Sequence, residues 1–517
     1  MLVYTFFKKL DPMHTKIFSA TPIGIHAHLV DVEVDLSFGL INFFIVGLPD
    51  TAIKESRQRI QTALKNSGIK LPEKKITVNL APASLKKEGT LFDLPIAIGI
   101  LQACRYLQMD SQFLSETLFI GELSLDGSIK SINGALPIAY DAHKLNKKRI
   151  ILPEENAHEA ALIPDIEVIG VKNLVELICY LRKEQPIQPT VTDFQGYIQS
   201  TQTTDIDFSD VKGQSYAKRA LQIAAAGRHN ILFSGPPGSG KTMLAKRLPT
   251  ILPNMTFDEA VSTSKVYSIS GKLNDKPLIT QRPFRSPHHS ISQAGLIGGG
   301  TFPKPGEVSL AHNGILFLDE FTEFKRDTLE ALRQPLENHT AEIARVQQSI
   351  AFPASFLLVA ALNPCPCGYL GDAQQICICS PTQLQKYKDK LSGPLLDRID
   401  IKVTVSAVSY EEAQAKKSPD AISSEKLKLG VDKALSVQKA RFGTENKTNG
   451  TMSANDVELY CNLTPTAQEL LKKAFIKLSM SMRGYHKTLK VARTIADIDH
   501  ADLIDVKHIQ EAIIYKS

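Results

Sequence analysis

An α/β fold class is predicted by three observations. Residues 231–248, ILFSGPPGSGKTMLAKRL, read as an apolar strand, a glycine-rich loop and a helix whose apolar residues recur at helical spacing. Residues 314–320, GILFLDE, read as a second buried strand ending in two carboxylates. Residues 356–362 form a third apolar run that ends at Asn363. Strands that deliver polar groups at their C-terminal ends are what an open parallel sheet offers a nucleotide.

The loop fits G-x-x-x-x-G-K-[ST], and the strand before it and helix after it set it apart from an ordinary glycine-rich turn. Gly235, Pro236, Pro237, Gly238, Ser239 and Gly240 would let backbone N–H groups close around phosphates. Lys241 is placed to reach the β and γ oxygens and Thr242 to ligate magnesium, so ATP and Mg2+ are the expected cofactors. Asp319 is suited to hold the magnesium, Glu320 to orient the attacking water, and Asn363 to touch the γ-phosphate or that water.

In chain order, 517 residues suggest about three domains. The composition is ordinary globular, and a net charge of +6 permits an anionic partner without demanding one. The first residues, MLVYTFFKKL, carry charge too early for a signal peptide, and no apolar run is long enough to span a bilayer. A cytoplasmic protein with no membrane partner is expected. Seven cysteines, an odd number, argue against a disulfide framework. Residues 1–15 read as a tail, and residues 16–185 as an α/β domain that opens on alternating apolar positions at Leu29, Val30, Val32, Val34 and Leu36. Residues 186–204, rich in Pro, Gln, Thr and Ser, read as a linker. The nucleotide-binding core is expected over 205–408 and a helical lid over 409–517, with helices at 426–442 and 467–498.

Three features of the core and lid stand apart. The segment between the loop and GILFLDE contains Arg282, Arg285, His288, His289 and Lys304 among glycines and prolines, a composition for a mobile exposed insertion. His288 and His289 could be metal ligands, but adjacent residues on an extended chain point to opposite sides. Cys365, Cys367, Cys377 and Cys379 offer four thiolates, enough for a tetrahedral Zn2+; reduced free thiols are the alternative. Between Lys472 and Arg493 there are seven basic residues and no acid, a bias that favours phosphate contact, with ATP through Arg483 or with nucleic acid. The acids Asp497, Asp499, Asp502 and Asp505 read as an interface or a solvated face.

Two resemblances follow. The phrases TVNLAPASLKKEGTLFDLPIAIGIL and LFIGELSLDGSIKSINGAL resemble the proteolytic domain of the Lon family. Where that family places its nucleophilic serine this sequence has Thr90, Leu91, Phe92 and Asp93, and where it places the lysine base it has Leu136 and Pro137. A hydroxyl without a base is a poor nucleophile, so the domain is expected to be catalytically inactive. GPPGSGKT, FRSPHH, LIGGG, PKPGEVSLAHNGILFLDE, LRQPLE and NPCPCG are similar to the magnesium-chelatase-like AAA+ proteins, most closely the ComM/YifB branch, in which a Lon-like domain precedes the ATPase. The implied fold is an AAA+ P-loop ATPase with a helical lid, preceded by an α/β Lon-protease-like domain. The resemblance makes Asn363 the first sensor, Arg398 in LLDRID the arginine finger and Arg483 in SMRGYH the second sensor.

An arginine finger serves ATP held by a neighbour, so a homo-hexameric ring is expected. Residues 340–353, TAEIARVQQSIAFP, read as a β-hairpin with a polar tip that in such rings would face the central pore, beside the insertion. Arg345 and Lys304 are then the expected DNA contacts, since a translocating motor needs cations that meet phosphates of any sequence. The tip lacks the aromatic residue a pore for unfolded protein would present. The resemblance implies a DNA motor for branch migration on branched or single-stranded DNA in transformation and recombination, alongside recombination proteins. A chelatase motor subunit and a protein-remodelling ATPase are the alternatives.

Overall fold

Alternation over 27–38 builds the centre of the first sheet. In the computed structural model, which describes residues 14–48, 50–85, 87, 89–192, 206–273, 277–300, 303–344, 349–372, 375–407, 422–444 and 447–516, β1 (His14–Ile23) pairs antiparallel with β2 (His26–Ser37), Ile17 opposite Val32. Val30, Val32, Val34 and Leu36 are buried, as period-two alternation requires of a sheet with one packed face. β3 (Phe43–Val46), β4 (Lys75–Ala81) and β5 (Thr117–Phe119) extend this sheet; β6 (Glu122–Leu123) and β7 (Ile129–Lys130) form a separate hairpin; β8 (Arg149–Pro153) and β9 (Glu167–Val171) complete the order β3-β4-β2-β1-β5-β8-β9.

The Asp93–Ala103 helix, DLPIAIGILQA, is buried on every side but Gln102, which is why its sequence lacks amphipathic spacing. Asp93 is buried and accepts from Arg59 Nε at 2.7 Å; burial pushes its pKa up against the pull of that guanidinium. Leu91, Phe92 and Leu136, which stand where the Lon family keeps its nucleophile and base, are buried apolar residues. Thr90 donates to the Glu122 carboxylate.

Two units result, Met1–Gln199 with Ser264–Ile279 and Ser200–Thr263 with Thr280–Ser517. Residues 264–279, expected within the ATPase core, therefore pack with the first unit.

The second unit is built on a five-stranded parallel sheet. Its strands are β10 (Ile231–Ser234), β11 (Phe284–Arg285), β14 (Ile315–Leu318), β17 (Leu357–Leu362) and β18 (Ile401–Thr404), in the order β11-β14-β17-β10-β18. Successive side chains enter different cores, as the pleat dictates. Ile231, Phe233, Ile315, Phe317, Val359 and Ala361 pack with Val431, Leu489 and Ile495 of the lid. Leu232, Leu316, Leu318, Leu358 and Ala360 pack with Leu296, Val308, Phe321 and Leu329. The lid thus shares one core with the sheet. Two hairpins project from this unit: β12 (Gly298–Gly299) with β13 (Lys304–Pro305), and β15 (Thr340–Ala344) with β16 (Ser349–Pro353).

The lid departs from expectation in two respects. The stretch 467–498 is not one helix but two, Pro465–Lys477 and Met482–Ile498, because Ser479 turns left-handed and Ser481 caps the second by accepting from Gly484 N. The basic run is not one phosphate surface. Arg493 is buried on Asp497 and the carbonyls of Ala501 and Asp502, Lys487 donates to Ile399 O at 2.9 Å, and Lys490 to Gly450 O at 3.2 Å. Asp497, read as part of an interface or a solvated face, is fully buried between Arg441 and Arg493. Buried charge persists only when paired, and these pairs tie the lid together. Among the described residues no helix is long and apolar enough to cross a membrane.

Candidate nucleotide site and finger face

The loop after β10 turns through Gly238 (φ +77°) and Gly240 (φ +91°), left-handed positions that any L side chain would strain. The Lys241–Arg247 helix follows at once. Lys241 Nζ donates to Gly235 O at 2.7 Å, Pro236 O at 2.9 Å and Asn363 Oδ1 at 3.3 Å. Burial lowers the pKa of this lysine, partly offset by Asp319. Thr242 Oγ1 donates to Asp319 Oδ2 at 2.6 Å.

Residues from three separate stretches, Lys241 with Thr242, Asp319 and Asn363, are therefore brought together where β10, β14 and β17 end side by side. Ser239 Oγ is buried in this loop without a hydrogen-bond partner, so a bound phosphate would satisfy it. A hydroxyl and a carboxylate are hard oxygen donors of the kind Mg2+ takes alongside nucleotide phosphates. The residues present thus fit Mg2+ and ATP.

Glu320 follows Asp319 in a left-handed conformation (φ 50°), which is strained for this residue and found at functional turns. Its carboxylate meets His289 Nδ1 at 3.0 Å, and the His289 ring stacks on His288 with centroids 4.0 Å apart. His289 is a site residue that sequence reasoning missed as a partner of the acidic strand. The pair of histidines ligates no cluster: among the described residues the only group of three or more metal-ligating side chains is the four cysteines.

Arg398 lies at the other end of the sheet. Asn230, the residue before β10, donates to Arg398 O at 2.9 Å. β10 then runs four residues, about 13 Å at the usual strand rise, before the phosphate loop begins. The Arg398 guanidinium is nearly buried, donating to Pro394 O at 2.6 Å and to the Glu337 carboxylate. Arg483 reaches the same Glu337 Oε1 at 3.2 Å. Arg483 therefore shares Glu337 with Arg398 and lies on the finger's face of the sheet. Glu337 was not singled out from the sequence.

The four cysteine sulfurs lie within 4.8 Å of one another, with Cys365 to Cys367 at 3.3 Å, Cys365 to Cys377 at 3.7 Å and Cys367 to Cys377 at 3.6 Å. Zinc–thiolate bonds of about 2.3 Å in a tetrahedron separate sulfurs by about 3.8 Å.

The insertion is less exposed than its composition suggests. Arg282 is held by Glu259 at 2.9 Å and by the carbonyls of Pro253 and Asn313, and Arg285 pairs with Glu307 at 2.6 Å. Lys304 is exposed. The β12–β13 hairpin that carries it packs on β15, where a β-carbon at Gly298 would stand 2.6 Å from Ile343 Cδ1. The two hairpins are neighbours, as the sequence led us to expect. Arg345 lies outside the described residues.

Comparison with known proteins places this geometry. Residues 207–413 match the family described as magnesium chelatase, subunit ChlI; residues 32–156 match subunit ChlI of Mg-chelatase, and 421–516 its C-terminal family. The chain is 43% identical over 505 residues to competence protein ComM of Haemophilus influenzae, covering 97% of each protein. It is 39% identical over 516 residues to the uncharacterized protein YifB of Escherichia coli, covering 98% of this chain and 97% of that protein. Lon protease 2 of Bacillus subtilis is similar over 127 residues, 31% identical, covering 24% of this chain and 22% of the protease. With a phosphate loop, acidic strand and sensor strand assembled in one sheet and near full-length identity to both, the chain belongs to the ComM/YifB family of magnesium-chelatase-like AAA+ ATPases.

Proposed function

We propose that this chain is an ATP-driven DNA motor that works as a homo-hexameric ring and promotes branch migration on branched DNA during natural transformation and homologous recombination. The observation that carries the ring is the position of Arg398 and Arg483 at the opposite end of the sheet from the chain's own phosphate loop. Groups so placed can serve nucleotide only across a subunit boundary. A heterologous contact that closes on itself makes a ring. The DNA substrate is supported by similarity to a protein named for competence, by the exposed Lys304 on a hairpin that adjoins β15, and by Arg345 in the sequence between β15 and β16. Purified protein with ATP and labelled three-way and four-way junctions tests this reading, with porphyrin metallation and casein unfolding as the competing substrates. Strand movement on junctions is expected; activity only on porphyrin or casein would replace DNA as the substrate.

Arg345→Ala and Lys304→Ala are expected to weaken DNA binding about equally for all sequences. Each lost phosphate contact lowers the salt slope by about 1. Both should also uncouple ATP hydrolysis from junction movement. DNA affinity and salt slope equal to the parent protein in both variants, with rings intact, would remove the pore contacts from this account.

The cysteine cluster is proposed to hold one Zn2+ per chain, since its sulfur spacing matches a tetrahedral four-thiolate site. Cys367→Ser is expected to lower the zinc content. Metal analysis of the native protein is the measurement, and a zinc-free native protein would reject the assignment.

A further inference from the structure

The cysteine loop carries apolar side chains on the outside at Leu370, Ile376 and Ile378. Ile376 and Ile378 are 89% and 87% exposed, and Leu370 is partly so. They alternate with Cys377 and Cys379, whose sulfurs turn inward to Cys365 and Cys367. Successive side chains of an extended segment point to opposite sides. Gathering the thiols is therefore what turns the isoleucines out. The loop is not an appendage of its own: it follows Asn363 directly, and at Gly368 a β-carbon would stand 2.7 Å from Pro237 Cδ of the phosphate loop. The cysteine loop that bears the apolar knob thus packs against the phosphate loop at Gly368.

A second apolar patch lies beside the finger. Ile476 and Met482 are 70% and 60% exposed, and Leu478 is half exposed between them. Met482 immediately precedes Arg483.

We infer that the knob formed by Ile376 and Ile378 docks on the Ile476–Met482 patch of the next subunit, making the cysteine loop an inter-subunit fastening beside the ATP site. This rests on the proposed ring in which Arg398 and Arg483 serve a neighbour's nucleotide. Given that ring, the surface that flanks the finger is brought to the side of the neighbour that carries the phosphate loop, and the cysteine loop packs on that loop at Gly368. A heterologous interface needs two different complementary surfaces on one chain. Two aliphatic patches of matching character stand on the two faces that the finger requires to touch, and their burial is favoured by the apolar area removed from water. The folded state of the cysteine loop then governs ring assembly, and through assembly the supply of fingers to the ATP site.

The test uses the full chain with a non-hydrolysable ATP analogue, with assembly followed by sedimentation. Ile376→Glu with Ile378→Glu, and separately Ile476→Lys with Met482→Lys, are each expected to raise the assembly midpoint at least tenfold and to lower ATPase activity in parallel. Binding of a fluorescent ATP analogue and thiol content should stay at parental levels. All four substitutions in one chain place opposite charges across the contact and should recover most of the lost assembly. Assembly at the parental midpoint in either double variant overturns the inference, as does loss in both with no recovery in the combination. Arg398→Ala separates this from the ring reading: rings that form normally in that variant and retain full turnover remove the trans finger, while the knob is judged on assembly alone. A parent chain that stays monomeric with the analogue at every concentration overturns both.

Discussion

Lys241→Ala is expected to lose ATP, whereas Glu320→Gln is expected to hold ATP and fail to turn it over. Lys241 Nζ already lies on the carbonyls of Gly235 and Pro236, inside the loop that would wrap the phosphates. Its removal deletes charge-assisted hydrogen bonds of about 1.5–3 kcal/mol each, roughly ten- to a hundredfold in affinity per bond. Glu320 is different because it touches neither Lys241 nor Thr242; it stands one residue beyond Asp319, facing His289. Glutamine there keeps the size and can still accept from His289, but it cannot take a proton from water. Loss of a positioned general base costs about 10²–10⁴-fold in turnover. Nucleotide binding and single-turnover hydrolysis, measured on the two variants together, check the pair of outcomes. Near-parental hydrolysis in either one would remove the assignment of its residue.

Arg398→Ala should be as damaging, by about 10³–10⁵-fold in turnover, the usual worth of an arginine finger. The effect should also be transferable between subunits. In a ring of mixed Arg398→Ala and Lys241→Ala chains, some boundaries join an intact phosphate loop to an intact finger, and those boundaries should hydrolyse ATP although neither variant does so alone. Hydrolysis plotted against mixing ratio should rise to a maximum between the pure species. A flat line, in rings shown to exchange subunits, would make Arg398 a structural residue, consistent with its bonds to Pro394 O and Glu337 alone.

The strand-end residues were legible because local chemistry identifies them. Glycine punctuation, an apolar strand and a terminal carboxylate each carry their signal within a few positions, and Thr242, Asp319, Lys241 and Asn363 duly converge. Pairing across the fold was not. His289 finds Glu320, and Glu337 finds both Arg398 and Arg483, through tertiary placement that no local spacing encodes. The basic run from Lys472 to Arg493 misled because charge counting assumes a solvated helix face. Three of its seven residues, Lys487, Lys490 and Arg493, turn inward, onto Asp400, Asp497 and backbone carbonyls. Ser481 was a readable cap within a stretch that apolar spacing alone made continuous.

Glu337 gives the lone subunit a surrogate for phosphate. The Arg398 and Arg483 guanidiniums, which in the proposed ring would meet a neighbour's triphosphate, would otherwise stand with no counter-ion on a partly desolvated face, a costly arrangement. One carboxylate holds both in waiting. In a ring built as proposed, joining a neighbour is then an ion exchange: the carboxylate lets go and the triphosphate takes its place. The exchange favours the more highly charged anion, so the grip between subunits should tighten with triphosphate and slacken as the terminal phosphate departs. Hydrolysis at one site would hand the finger back to its own Glu337, and the boundary would loosen without any large motion of the sheet.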